Sequence, residues 1–186
     1  MAALRELTRR KCFISYHHAD EAEVQEFIED FDHDRDVLIA RGIGASMTGD
    51  IINSESSDYI MSRIREKYLR DTTVTIVLIG QCTWARKFVD WEVAASLRNT
   101  AAYSRNGLLA ITLPPVASVA GRQVPGRVSD NIAGVDGDEG YARWWKYPTG
   151  AAGLANMIET AYDYRTSRSG LALNTRALRS RNSTCP

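Results

Sequence analysis

Thr73-Val74-Thr75-Ile76-Val77-Leu78-Ile79-Gly80 is an almost unbroken run of β-branched and aliphatic residues closed by a glycine. Half-buried strands alternate apolar and polar residues. A continuous run implies burial on both faces, as in a parallel sheet covered by helices on each side. Reading outward, Cys12-Phe13-Ile14-Ser15-Tyr16 is a second buried strand. Val37 to Ile43 is a weaker one that runs into Gly42 and Gly44, and Leu108 to Leu113 is a fourth, stopped by Pro114-Pro115. Helical spacing separates them. Val24, Phe27, Ile28 and Phe31 mark a helix over Ala22 to Phe31, with Asp20 as its expected N-cap. Ile60, Ile64 and Leu69 mark one over Ser57 to Arg70. Val89, Val93 and Leu97 mark one over Lys87 to Ala102, and Leu154, Met157, Ile158 and Ala161 mark one over Gly150 to Tyr164. Strands alternating with helices of crossover length predict a doubly wound α/β fold, flavodoxin-like in outline. Its sheet is mostly parallel, with helices on both faces and the strands at 13–16 and 74–79 in its centre.

The chain has 186 residues, 44% of them apolar, and Lys plus Arg balance Asp plus Glu at 23 each. That length and composition suit one domain, expected over residues 1–167. With no net charge there is no global field to recruit nucleic acid or an anionic membrane. No window approaches the 18 apolar residues of a membrane span, and the N-terminal MAALRELTRRK lacks the apolar core of a secretory signal. Cys12, Cys82 and Cys185 are odd in number, far apart and in no CxxC pair, which argues against a disulfide framework. Together these features predict a cytoplasmic protein. Residues 114–140, rich in Gly and Pro, read as a long excursion at the sheet edge. Residues 168–186 carry four arginines, no acids and little apolar content, and read as a flexible basic tail.

Several chemistries fail on motif. Gly42-Ile43-Gly44 lacks the third glycine of a dinucleotide fingerprint, no GK[ST] follows it, and there is no GxSxG elbow. His17-His18 has no supporting cluster of histidine or cysteine, so no metal site is expected. In open parallel sheets ligands bind beyond the carboxyl ends of the strands, where the strand order reverses. The first strand brings Ser15, Tyr16, His17 and His18 to that edge. On the helix that follows the third strand, Trp84, Phe88, Glu92 and Ser96 recur every four residues, beside the core stripe. A carboxylate next to aromatic surface suits a ligand with rings and hydroxyls, and such surroundings raise its pKa. Spacing alone leaves this open, and favours the plainer reading of Glu92 as a solvated acid and Trp84 as a core anchor.

Phe13-Ile14-Ser15-Tyr16-His17-His18-Ala19-Asp20 resembles the first conserved box of TIR domains. The segment 73–80, followed by Cys82-Thr83-Trp84 and Val89-Asp90-Trp91-Glu92-Val93, is similar to the third strand and the glutamate-bearing helix of those domains. Pro125 to Ile132 and Tyr141 to Pro148 resemble the later part of TIR-like proteins of the ThsB type, from the Thoeris antiphage system. The resemblance spans about residues 10–165, in order. His17-His18 stand where many relatives have arginines, and Phe88 where many have Trp.

The resemblance implies an NAD-consuming enzyme of the NAD+ nucleosidase and ADP-ribosyl cyclase type, with NAD as substrate and no bound cofactor. Glu92 matches the catalytic glutamate. Ser15, Tyr16, His17 and His18 match the loop lining the nucleotide pocket, and Phe88 and Trp84 would form an aromatic wall. Loss of nicotinamide would be followed by capture of ADP-ribose by its own hydroxyl, giving a cyclic isomer that signals to an effector of the ThsA type. A phage-derived activator is implied as well, and self-assembly is left open. The alternative from another class is a non-catalytic TIR-like module acting through protein–protein contacts. A phosphoacceptor receiver is disfavoured, because the first strand ends without an acidic pair and the third without an aspartate.

Overall fold

The computed structural model describes residues 8–42, 47–132 and 140–186. Five strands, β1 (Arg10–Ser15), β2 (Leu38–Arg41), β3 (Val74–Ile79), β4 (Gly107–Thr112) and β5 (Ala142–Trp145), form one sheet in the order β2-β1-β3-β4-β5. Every neighbouring pair is parallel. In register, Ser15 at the end of β1 stands beside Val77 of β3. β3 and β4 are buried along their whole length, as continuous apolar runs require in a sheet covered on both faces.

The helices divide between the two faces. α1 (Glu21–Ile28), a wide π-type turn over Glu29–Asp34, and α6 (Ala151–Ser167) cover one face, packing Val24, Phe27, Phe31, Leu154 and Ile158 onto Ile14, Ile76 and Leu109. α4 (Lys87–Leu97) and α5 (Gly126–Ile132) cover the other, where Val89, Val93 and Val128 meet Val77, Ile79 and Leu108. α3 (Ser57–Lys67), with the short α2 (Gly49–Ile52), extends this layer. Ile51, Ile60 and Ile64 pack there with Phe13, Trp91 and Ala95. β1 is thus followed by a helix on one face and β3 by a helix on the other.

Several boundaries differ from the periodicity. The first helix begins at Glu21 and passes into the π-type turn, and α4 stops at Leu97, five residues short of Ala102. β2 ends at Arg41, and Ile43 lies outside the described residues. The excursion at 114–140 contains α5 and leads into β5, both too short for a periodic signal; residues 133–139 lie outside the described ones. Asp20 does precede α1, but its carboxylate does not cap the helix. It lies over Gly80, where a Cβ would come within 2.2 Å of its oxygens, and Thr83 Oγ1 approaches it at 3.4 Å.

The tail and the cysteines depart furthest from what the sequence leads one to expect. Residues 172–186 are not loose but run back along α4. Asn174 Nδ2 donates to the Ala94 carbonyl (2.9 Å), the Arg179 amide donates to Asp90 Oδ2 (2.9 Å), and Trp91 Nε1 donates to the Arg179 carbonyl (2.9 Å). Leu178 packs against the cluster around Phe13 and Trp91. Beneath lies a buried ion pair between Asp90 and Arg127, exposed by 2% and 1%. Arg127 also donates to Asn174 Oδ1 (2.9 Å) and to the Ala177 carbonyl (3.3 Å), so the tail satisfies donors the domain leaves open. At its end Cys185 is bonded to Cys82, 103 residues away. Cysteine spacing gave no hint of this pair because the fold, not the sequence, brings the two together; only Cys12 stays a free thiol, and it is buried.

Two predictions follow from this packing. A Cβ at Gly107 would lie 2.0 Å from the Ala161 carbonyl of α6. Gly107→Ala must therefore push the helix off β4, and should lower the unfolding free energy by about 2 kcal/mol in urea titrations. Truncation after Ser167 removes the tail partners of the buried Asp90–Arg127 pair and uncovers that pair. It should cost about 3 kcal/mol or more in the same assay, whereas a dispensable tail would leave the midpoint unchanged.

Candidate functional site

The strand order reverses between β1 and β3, and there the two crossovers leave for opposite faces. This opens a cleft at the carboxyl edge of the sheet, the usual ligand position in such folds. The cleft has a volume of about 580 Å³. A more open hollow of about 700 Å³ lies elsewhere, beside Arg65, Thr73 and Arg165. There the buried Arg65 already donates to Asn106 Oδ1 and the Ser104 carbonyl, and Thr73 precedes β3, placing the hollow at the amino edge rather than the ligand-binding one.

Glu92 projects from the second turn of α4 into the cleft. Ser15, the last residue of β1, donates its hydroxyl to Glu92 Oε2 at 2.6 Å. Burial pushes the Glu92 carboxyl up to about 7 against the opposing effect of the Ser15 hydrogen bond. Near neutral pH this carboxyl exchanges protons readily, unlike a solvated surface acid. Tyr16, His17, His18 and Phe88 line the same cleft. Tyr16 donates to Glu21 Oε2 at 2.6 Å, which fixes its phenol across the opening. His17 is 6% exposed, and burial together with the charge of Arg86 lowers its pKa to about 4, so it is neutral at physiological pH. Its ring lies edge-on to His18 at 4.3 Å. Phe88 packs against Trp91 at 5.6 Å, with Lys87 over both rings.

Six of the seven residues singled out from the sequence therefore meet here. Trp84 does not. Helical spacing does not reach it, because it sits in a tight turn (Thr83–Ala85) and Arg86 is extended before α4 begins. Its side chain lines a separate hollow of about 180 Å³ with Gln81, Val116, Val119 and Cys185. The aromatic wall of the cleft is thus Phe88 alone of the two. Sequence reasoning missed Arg86, Glu21, Met47 and the tail residue Asn182, all of which line the cleft. Arg86 could have been found, since it lies six residues before Glu92 on the same connection. Asn182 left no local signal.

A five-stranded parallel sheet in this order, with helices on both faces, is a flavodoxin-like architecture and is consistent with a TIR-like domain. A family model described as Thoeris protein ThsB, TIR-like domain, matches residues 13–118, more than half of the chain, and the chain belongs to that family. The matched segment includes the second half of β1, all of β3 and α4, and hence Ser15 and Glu92. No curated protein matches the chain. No helix among the described residues is long and apolar enough to cross a membrane.

The shifted carboxyl has a consequence for stability. A carboxyl whose folded pKa is about 7, against 4.5 for the ordinary group, binds protons more tightly in the folded state. Stability therefore falls as pH rises from about 4.5 to 7, and the whole penalty is present above that window. Glu92→Gln cannot titrate. Its unfolding free energy relative to the parent should rise by about 2–3 kcal/mol between pH 5 and pH 8 in chemical denaturation. A pH-independent difference would mean that Glu92 is solvated.

Proposed function

We propose that the chain is an NAD-cleaving enzyme that releases nicotinamide and closes the remaining ADP-ribose into a cyclic isomer. The observation that carries this reading is the Ser15–Glu92 pair, a carboxylate held by one hydroxyl within a cleft at the switch point of the sheet. Family membership supports it, because the matched region contains both residues.

The chemistry follows from charge. As the glycosidic carbon–nitrogen bond breaks, its electron pair returns to the nicotinamide ring, which leaves neutral, and positive charge passes to the ribose. Glu92, ionised and aligned by Ser15, would accept hydrogen bonds from the ribose hydroxyls and lie against that developing charge. A fixed anion in a site poor in water is worth more than the same anion in solution. The cationic nicotinamide of bound NAD would draw the Glu92 pKa downward, so substrate itself favours the active form. Phe88 offers a face for a ring, and Tyr16 and His18 flank the opening. A hydroxyl of the same ADP-ribose then attacks the ribose carbon, its proton passing to water or to Glu92. Holding it close makes the attack unimolecular and disfavours water. The cyclic product would act on an effector of the ThsA type, with activity raised by a phage-derived trigger.

The test is nicotinamide release by the purified full chain, alone and with lysate of phage-infected cells, followed by chromatography. Glu92→Gln keeps size and hydrogen-bonding reach but removes the charge, and should lower release by about a hundredfold or more with the fold intact. In the parent, kcat/KM should climb as pH rises through about 7, because the ionised carboxylate is the active form. Undiminished cleavage in Glu92→Gln would remove Glu92 from the mechanism. No cleavage by the parent under either condition would leave a protein-interaction module as the better reading.

A further inference from the structure

The cleft contains a cation that the chemistry above does not use. Arg86 is the one permanently cationic residue among the described residues that line it. Its Nε is buried without a hydrogen-bond partner, and no ion pair joins its guanidinium to a described carboxylate. Its charge reaches Asp20 and His17 only through space. A partly buried guanidinium with free donors, opening on a cleft, matches an anionic oxygen acceptor in geometry and charge.

Asn182 stands beside it on the lining of the same cleft, delivered by the tail. Its Oδ1 accepts from the Lys87 amide at 2.8 Å, and this contact fixes which end of the side chain is which. The Nδ2 group, two donors, has no described partner. The backbone around Asn182 is held on both sides. Before it, Arg179 is bonded to Asp90 and Trp91, and its guanidinium donates to the Trp84 carbonyl at 3.1 Å and to the Ser183 hydroxyl. After it, the Ser183 amide donates to the Ala85 carbonyl at 2.9 Å, and Cys185 is bonded to Cys82. Contacts to 84, 85 and 87 therefore pin the tail to the two sides of Arg86. Tail and cation form one unit.

We propose that Arg86 and the Asn182 amide form the diphosphate-binding wall of the cleft, and that the Cys82–Cys185 bond holds this wall in place so that reduction by a dithiol weakens substrate binding. The inference rests on the NAD reading above. A dinucleotide carries its charge between two sugars, so a site that acts on one ribose at Glu92 needs cationic and amide donors beyond it. Arg86 and Asn182 are neighbouring lining groups with donors to spare, and Arg86 adds a permanent positive charge. The reductive step is thiol–disulfide exchange. A dithiol gives up two electrons and two protons to the Cys82–Cys185 bond, leaving two protein thiols and an oxidised dithiol. The ion pair of Asp90 and Arg127 does not depend on that bond, so the reduced protein keeps its fold while the last residues lose their anchor.

The experiment compares binding of ADP-ribose, which has the diphosphate, with nicotinamide riboside, which lacks it, by calorimetry on the oxidised full chain, alongside NAD kinetics. Arg86→Gln should weaken ADP-ribose about tenfold or more and raise KM for NAD similarly, with kcat and nicotinamide riboside affinity little changed. Asn182→Asp keeps the acceptor for the Lys87 amide but loses the donors, and should lose ADP-ribose affinity to a like degree. Full retention would reduce Asn182 to a structural cap and overturn its part. Cys185→Ala, or dithiothreitol on the parent, should raise KM about threefold to tenfold with the melting transition still cooperative, and reoxidation should reverse the effect of dithiothreitol. Equal KM values in all variants, with NAD still cleaved, would overturn the proposal and leave the NAD reading intact. A parent that binds neither ADP-ribose nor NAD would instead refute the NAD reading, and this proposal with it.

Discussion

The arrangement of this protein depends on the pairing of β1 with β3. Two strands that neighbour each other but send their chains to opposite faces cannot both be roofed by the same helix. The sheet edge between them must stay open. α1 leaves β1 toward the layer of α6, and α4 leaves β3 toward the layer of α3 and α5. The gap is where Ser15 ends its strand and Glu92 comes down from its helix. Nothing else in the fold would place a hydroxyl from residue 15 at 2.6 Å from a carboxylate 77 positions later.

That constraint also explains the unusual state of Glu92. A carboxylate on an amphipathic helix normally faces water. Here α4 is buried on nearly all sides, because the sheet lies beneath it, α3 beside it and the tail across it. The only room for Glu92 is the cleft, and burial there raises its pKa toward neutrality. The neutral His17 and the unpaired Arg86 share this environment. A carboxyl near its titration midpoint, a neutral imidazole and a spare guanidinium within one hollow are costly to hold together. Perturbed titratable groups of this kind cluster at functional sites.

The tail is part of this account. Asp90, two residues before Glu92, is buried with Arg127, and the pair is completed by Asn174, Ala177 and Arg179. One turn of α4 therefore carries on one side the acid of the cleft and on the other the anchor of the last fifteen residues. Substitutions in the tail are expected to reach the cleft through α4, and loss of the Cys82–Cys185 bond frees the end nearest Asn182.

The apolar run at 74–79, the weaker runs around it and the spacing of Val89, Val93 and Leu97 were enough to read a parallel sheet with β1 and β3 in its centre, because burial on both faces leaves a direct imprint on residue type. Ser15, Tyr16, His17, His18 and Phe88 could be placed for a related reason, each lying within a few residues of a strand end or on a regular helix, whereas for Glu92 spacing alone favoured a solvated acid and the family resemblance drew it to the cleft. Trp84 was misread because a helical repeat was extended across a turn that has its own geometry. The fifth strand and α5 were missed because four and seven residues are too few to establish a period. The partnership of Cys82 with Cys185, the burial of Arg127 and the arrival of Asn182 beside Arg86 had no trace in the sequence. Those contacts join residues about 40 to 100 positions apart through side chains that look solvated in isolation, and only the folded chain brings them together.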